Sequence, residues 1–128
     1  MGKQLIICDC LGSQTIDAEA ISLATGFEIA KPCTALCTTQ IEVAAAALTQ
    51  GNAVFCCSQE SRRFEALAEE LGVDSAPTFD LRDRAGWTAD TGNLVPKMSA
   101  LAAEALLPAA PGKSLDVISE GLCLIIGK

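Results

Sequence analysis

The sequence predicts a three-layer α/β domain on a mostly parallel sheet, completed by a carboxyl-terminal hairpin or strand. Three observations carry that expectation. Apolar runs of strand length alternate with segments of helical periodicity three or four times in succession. Each run is followed by turn-forming residues and a helix start, as crossover connections between parallel strands require. Half of the residues are hydrophobic, with alanine prominent and only four Phe and one Trp, which suits helices packed closely on a sheet.

The first strand covers residues 4–8 and ends at Cys8; Gly12 and Ser13 then close a turn. Thr15 or Asp17 caps a helix with Ile16, Ala20, Ile21 and Ala24 on one face and Gly26 as its stop. Residues 27–30 alternate as a short second strand, ended by Pro32, which has no N–H for a ladder. Residues 33–37 form a loop or first turn. Thr38 or Thr39 caps a helix through Ile41, Ala44, Ala45 and Leu48, closed by Gly51. Residues 53–57 are the third strand. Ser58 and Glu60 start a third helix with Phe64, Leu67, Ala68 and Leu71 on its apolar face and Gly72 as its stop.

Residues 77–81 give a fourth strand with a weaker pattern, and residues 86–96 form a loop around Trp87. Met98, Leu101, Ala102, Ala105 and Leu106 mark a fourth helix, ended by Pro108 and Pro111. Residues 108–113 are linker-like. Two apolar runs, 115–118 and 122–126, flank Glu120 and Gly121, which signals a hairpin or one long strand.

A length of 128 residues fits one domain, residues 1–128. The net charge of −7 disfavours nucleic acid and anionic membranes as partners, since both are polyanions. There is no run of 18 apolar residues to span a bilayer, and the first apolar run is broken too early by Asp9 for a secretory signal. A cytoplasmic location is expected. Seven cysteines in a reducing compartment point to metal or thiol chemistry rather than disulfides. The absence of histidine removes Ser-His and Cys-His dyads and mixed Cys/His zinc sites.

The positions of those cysteines are informative. Cys8 and Cys10, Cys33 and Cys37, and Cys56 and Cys57 sit at the carboxyl ends of the first three strands. In a flavodoxin- or Rossmann-like strand order 2-1-3-4, the carboxyl ends of these strands border one crevice. An iron–sulfur cluster needs four thiolates among inward-pointing backbone amides, and loops entering helix amino termini supply both. Cys10, Cys33, Cys37 and Cys57 are the expected ligands, with Cys8 and Cys56 in reserve. All-thiolate ligation is also compatible with zinc.

A strand ending Cys8-Asp9-Cys10, a second reaching Cys33 and a third ending Cys57-Ser58 resemble the amino-terminal iron–sulfur domain of the flavin-containing heterodisulfide reductase family. The resemblance covers roughly residues 4–72 and departs from the family pattern at Leu11, Gln59, Cys37 and Cys56. It implies a domain that holds one 4Fe-4S cluster, which an aerobic sample loses. Such a domain passes electrons to flavin or iron–sulfur partners within a larger iron–sulfur flavoprotein.

Two other readings compete. Cys57 to Arg63, like Cys56 to Arg62, satisfies C-x5-R between a strand and a helix, as in thiol-dependent phosphatases and arsenate reductases. Asp80 or Asp83 would then be the general acid, but Glu60 in that loop repels an oxyanion. Alternatively, the domain is a cofactor-free interaction module. Burial alone accounts for some thiols, since free cysteine behaves as a small hydrophobe; Cys8, Cys56 and above all Cys123 lie in apolar runs. Arg82, Asp83 and Arg84 suit a surface ion-pair network or the rim of the crevice, and Trp87 a hydrophobic anchor or an interface. Arg62 and Arg63, unfavourable at a helix start, suit charge compensation or a partner.

Overall fold

Strand β1 (Gln4–Ile6) lies between β2 (Glu28–Ile29) and β3 (Ala53–Phe55) in a three-stranded parallel sheet of order β2-β1-β3. The structure, a computed structural model, describes residues 3–90, 92–108, 111–118, 120–121 and 123–127. Leu5 is in register with Ile29 on one side and Val54 on the other. Beyond the regular ladders, Cys8 pairs with Cys33 and Phe55 with Thr78, both in parallel. The Phe55 N–H donates to the Pro77 carbonyl (2.8 Å) and the Phe79 N–H to the Phe55 carbonyl (2.9 Å). The expected fourth strand is thus a single bridge beside β3.

Four α-helices follow: α1 (Ala18–Thr25), α2 (Ile41–Gln50), α3 (Ser61–Glu70) and α4 (Leu94–Glu104), with a π-helical turn at Arg82–Gly86. Asp17 caps α1 by accepting the Ala20 N–H at 2.9 Å. Neither Thr38 nor Thr39 caps α2. Its cap position is Gln40, whose side chain instead accepts the backbone N–H groups of Thr34 (2.7 Å) and Ala35 (2.8 Å). Helix α4 starts four residues before Met98, because Pro96 falls in its first turn, where a missing N–H costs no hydrogen bond. The expected loop over residues 86–96 is correspondingly shorter.

Side-chain alternation along the strands divides the core between the two faces of the sheet. Ile6, Cys8, Ala53 and Phe55 join Ala44, Ala47 and Leu48 of α2 and Phe64 and Ala68 of α3. Leu5, Ile7, Val54 and Cys56 join Ile21 of α1 and Leu94, Met98, Leu101 and Ala102 of α4. Two residues expected on apolar helix faces, Ala24 and Leu71, are exposed, each within a residue of its helix end.

The carboxyl-terminal hairpin or strand is not found among the described residues 111–118, 120–121 and 123–127. Leu115, Val117, Ile118, Leu124, Ile125 and Ile126 are all exposed, with no strand beside them. Ser119 and Leu122, part of that expectation, lie outside the described residues, as do Ala109 and Ala110 of the linker-like stretch.

Phe55 and Phe64 stack with ring centroids 4.6 Å apart, and both are fully buried. This contact fixes α3 on the sheet below the ends of β1 and β3. Replacing Phe64 by Ala is expected to cost about 3–5 kcal/mol, measured by urea denaturation.

Candidate functional site

Parallel strands all end on the same side of a sheet, and here the loops after β1, β2 and β3 surround one cavity of about 130 Å³. Cys8, Cys10, Cys37, Cys56 and Cys57 are among its lining residues, with Leu36, Phe64, Glu60, Asp80 and Arg82. Period-two alternation decides which thiols share a face. Cys56 follows Val54 into the core on the α1 and α4 face and is 2% exposed, whereas Cys57 packs with Cys8 and Cys37 on the α2 and α3 face. Cys33, in register with Cys8, is 4% exposed in the core and does not line the cavity, although Thr34 and Ala35 after it do. Cys123 is exposed and lies away from the cavity, contrary to the expectation that it packs in a core.

Three of the four expected ligands, Cys10, Cys37 and Cys57, therefore meet at the cavity, and Cys8 meets them in place of Cys33. Two of these four sulfurs, those of Cys8 and Cys10, accept hydrogen bonds. Cys8 Sγ accepts the N–H groups of Cys10 (3.4 Å) and Leu36 (3.5 Å). Cys10 Sγ accepts Nη1 of Arg82 at 2.9 Å. At Cys37 the residue's own backbone N–H, and at Cys57 the Glu60 N–H just before α3, work against the rise in thiol pKa that burial causes.

The turn after β1 has an unusual backbone. Cys10 and Leu11 adopt left-handed conformations (φ 55° and 58°), followed by Gly12 at φ 75°. Left-handed geometry costs a non-glycine residue about 1–2 kcal/mol. Three contacts hold it in place. The Cys10 N–H bonds to Cys8 Sγ, the Leu11 N–H to the Thr34 carbonyl (2.7 Å), and the Gly12 N–H to the Asp9 carboxylate (3.0 Å). Behind the turn, buried Gln14 donates from Nε2 to the Cys8 carbonyl (2.9 Å) and lies against Gly86 of the π-helical turn.

Burial pushes the Cys57 thiol up from its ordinary pKa; the Glu60 N–H opposes this, and the charges of Cys37, Cys10 and Cys8 add to it. Burial likewise raises Cys37, with Glu60 contributing. Burial raises Cys33, assisted by Cys8 and Asp9, and lifts Cys56 well above the ordinary value. The charges of Cys8 and Cys10 thus bear on both Cys37 and Cys57.

Arg62 and Arg63, which the C-x5-R reading needs around its anion, are exposed on α3 and do not line the cavity. Asp80 and Asp83 do line it, but beside Arg82. Arg82, for which the sequence allowed either a surface ion pair or the rim of the crevice, lines the cavity and also pairs with Asp83. A basic residue just after a short strand at the sheet's carboxyl edge is the signal that could have selected it.

Among the described residues, no group of three or more Cys, Asp or Glu side chains is placed to hold a metal ion. Around a single tetrahedral zinc, thiolate sulfurs sit about 3.8 Å apart, given Zn–S bonds of about 2.3 Å. A polynuclear cluster binds each thiolate through a different iron and asks for a wider spread. Four thiols around one cavity supply the number of sulfur ligands that either kind of centre requires.

Two outcomes are expected. In metal-free protein, iodoacetamide should modify exposed Cys123 first and Cys33 and Cys56 last. The raised pKa values of Cys37 and Cys57 mean less thiolate at neutral pH, so their rates should keep rising above the pH at which a free cysteine levels off, as read by peptide mass spectrometry. A Cβ at Gly86 would overlap Gln14 Oε1 and stand 2.9 Å from Gln14 Cβ. Gly86→Ala should therefore destabilise the fold by about 1–3 kcal/mol in denaturant titrations.

No protein-family model, no curated protein and no solved structure matches this chain.

Proposed function

We propose that this chain is an iron–sulfur electron-transfer domain that holds one 4Fe-4S cluster on Cys8, Cys10, Cys37 and Cys57. The observation that carries the reading is the meeting of these four thiols at one cavity, with backbone N–H groups on the Cys8 sulfur and a guanidinium on that of Cys10. The sequence resemblance to the amino-terminal iron–sulfur domain of the flavin-containing heterodisulfide reductase family supports the same role, with Cys8 replacing Cys33. Under this reading the fold is three-layered and flavodoxin- or Rossmann-like. The chain acts in the cytoplasm as the amino-terminal domain of a larger iron–sulfur flavoprotein, exchanging electrons with flavin or iron–sulfur partners. Among the described residues, no helix is long and apolar enough to cross a membrane.

The bound cluster supplies one-electron transfer. The chain's own residues hold and insulate it. Cys8 is held by the sheet, Cys10 by the left-handed turn, Cys37 by the turn before α2 and Cys57 by the turn before α3. Leu36 and Phe64 make the inner wall apolar and keep water from that side. The backbone N–H groups of Cys10 and Leu36 offset negative charge on the Cys8 sulfur without adding a mobile proton.

The test is anaerobic reconstitution with iron and sulfide, followed by metal and sulfide assays. About four iron and four sulfide per chain are expected, with absorbance near about 400 nm. Ser in place of Cys8, Cys10, Cys37 or Cys57 should abolish most of this, whereas Cys33→Ser, Cys56→Ser and Cys123→Ser should retain it. Unchanged iron content across the first four variants would sink the reading. Turnover of an aryl phosphate or arsenate that disappears in Cys57→Ser would favour the thiol-enzyme reading instead.

A further inference from the structure

Among the described residues lining the cavity, Arg82 is the one cation, and the chain holds it unusually firmly. It opens the π-helical turn, in which the N–H groups of Gly86 and Trp87 bond five residues back, to Leu81 (3.2 Å) and Arg82 (3.1 Å). Such wide turns recur at functional sites. The guanidinium lies 4.9 Å from the centre of the Trp87 ring, its Nε meets Asp83 at 3.2 Å, and its Nη1 reaches Cys10 Sγ at 2.9 Å. Its side chain is 16% exposed, whereas Arg62, Arg63 and Arg84 are all exposed. A surface ion pair with Asp83 explains only one edge of the guanidinium. The other edge is aimed at a sulfur, and the aromatic ring fixes its plane.

We propose that Arg82 is a positioning residue that sets the reduction potential of the thiol site through Cys10, with Trp87 as its clamp. This rests on the reading of Cys10 as a ligand. When a reductant donates one electron to the loaded site, the site gains one negative charge while its four thiolates remain bound. A cation already placed at one sulfur favours that more negative state. Burial limits the screening that removes such effects at exposed arginines. Trp87 and Asp83 hold the guanidinium in both redox states, so little reorganisation accompanies electron transfer. Glu60, Asp80 and Asp83 around the same cavity oppose reduction, which makes the single cation decisive.

The experiment compares reconstituted wild type, Arg82→Gln, Arg82→Lys, Trp87→Leu and, as a control for charge alone, Arg63→Gln. Iron and sulfide content is measured first, then the midpoint potential by anaerobic titration against dithionite. Arg82→Gln is expected to bind iron but to be harder to reduce by on the order of tenfold, which is about 59 mV for one electron. Arg82→Lys should recover part of the shift, and Arg63→Gln should stay near wild type. If Arg82→Gln loses iron while Arg82→Lys retains it and has a potential between wild type and that of Trp87→Leu, the proposal also stands. Equal potentials at equal iron content overturn it, as does an equal shift in Arg63→Gln or the loss of iron from both Arg82 variants. A wild type without iron removes the ligand reading itself, and this inference with it, an outcome distinct from iron-loaded variants with unchanged potential.

Discussion

The central position of β1 in a parallel sheet is the constraint on which the rest depends. Because β2 and β3 both pair with it in parallel, all three strands deliver their following loops to the same edge. Each loop then leads towards a helix, so turns rich in backbone N–H groups collect there. The bridge between Cys8 and Cys33 carries the pairing one step beyond the regular strands and locks the first two loops together. The Asp9 carboxylate reinforces the lock by accepting both the Gly12 N–H and the Thr34 hydroxyl.

That arrangement creates an electrostatic problem. Four thiols and several carboxylates share a small, largely apolar space in a chain of net charge −7. Burial alone favours neutral thiols, as the raised values for Cys37 and Cys57 indicate. The Glu60 N–H works against that rise at Cys57, while backbone N–H groups bond the Cys8 sulfur and a guanidinium bonds that of Cys10. Arg82 keeps its charge there, because the contacts with Asp83 and Cys10 outweigh the burial that works against it. The left-handed turn at Cys10 and Leu11 belongs to the same solution. Its backbone cost is accepted where it turns the Cys10 N–H towards one sulfur and leaves the Cys10 sulfur within reach of Arg82.

The sequence by itself determined the order of elements, the helix stops at Gly26 and Gly51, and the clustering of cysteines at strand ends. Those features are local: periodicity, turn chemistry and capping act over a few neighbouring residues. It also placed Cys10, Cys37 and Cys57 near one crevice, because parallel topology follows from strand–helix alternation. It misread Pro96 as part of a loop, since a proline in the first helical turn looks from its neighbours like a breaker. In the tail it took apolar composition for a strand, but the described residues there form none and their large apolar side chains are exposed.

Only the tertiary structure decided how each thiol sits at the cavity: both members of the first and third pairs line it, but of Cys33 and Cys37 only Cys37 does. A shift of one residue reverses a strand side chain, so Cys56 and Cys57 differ by a full face although they are adjacent. Cys33 shares the Cys8 face of the sheet but is buried in the core there and does not line the cavity. Arg82 was gained because the π-helical turn, Trp87 and Asp83 together orient it across 72 residues of sequence towards Cys10. Contacts at that separation depend on how whole elements pack, and no local pattern of residues encodes them.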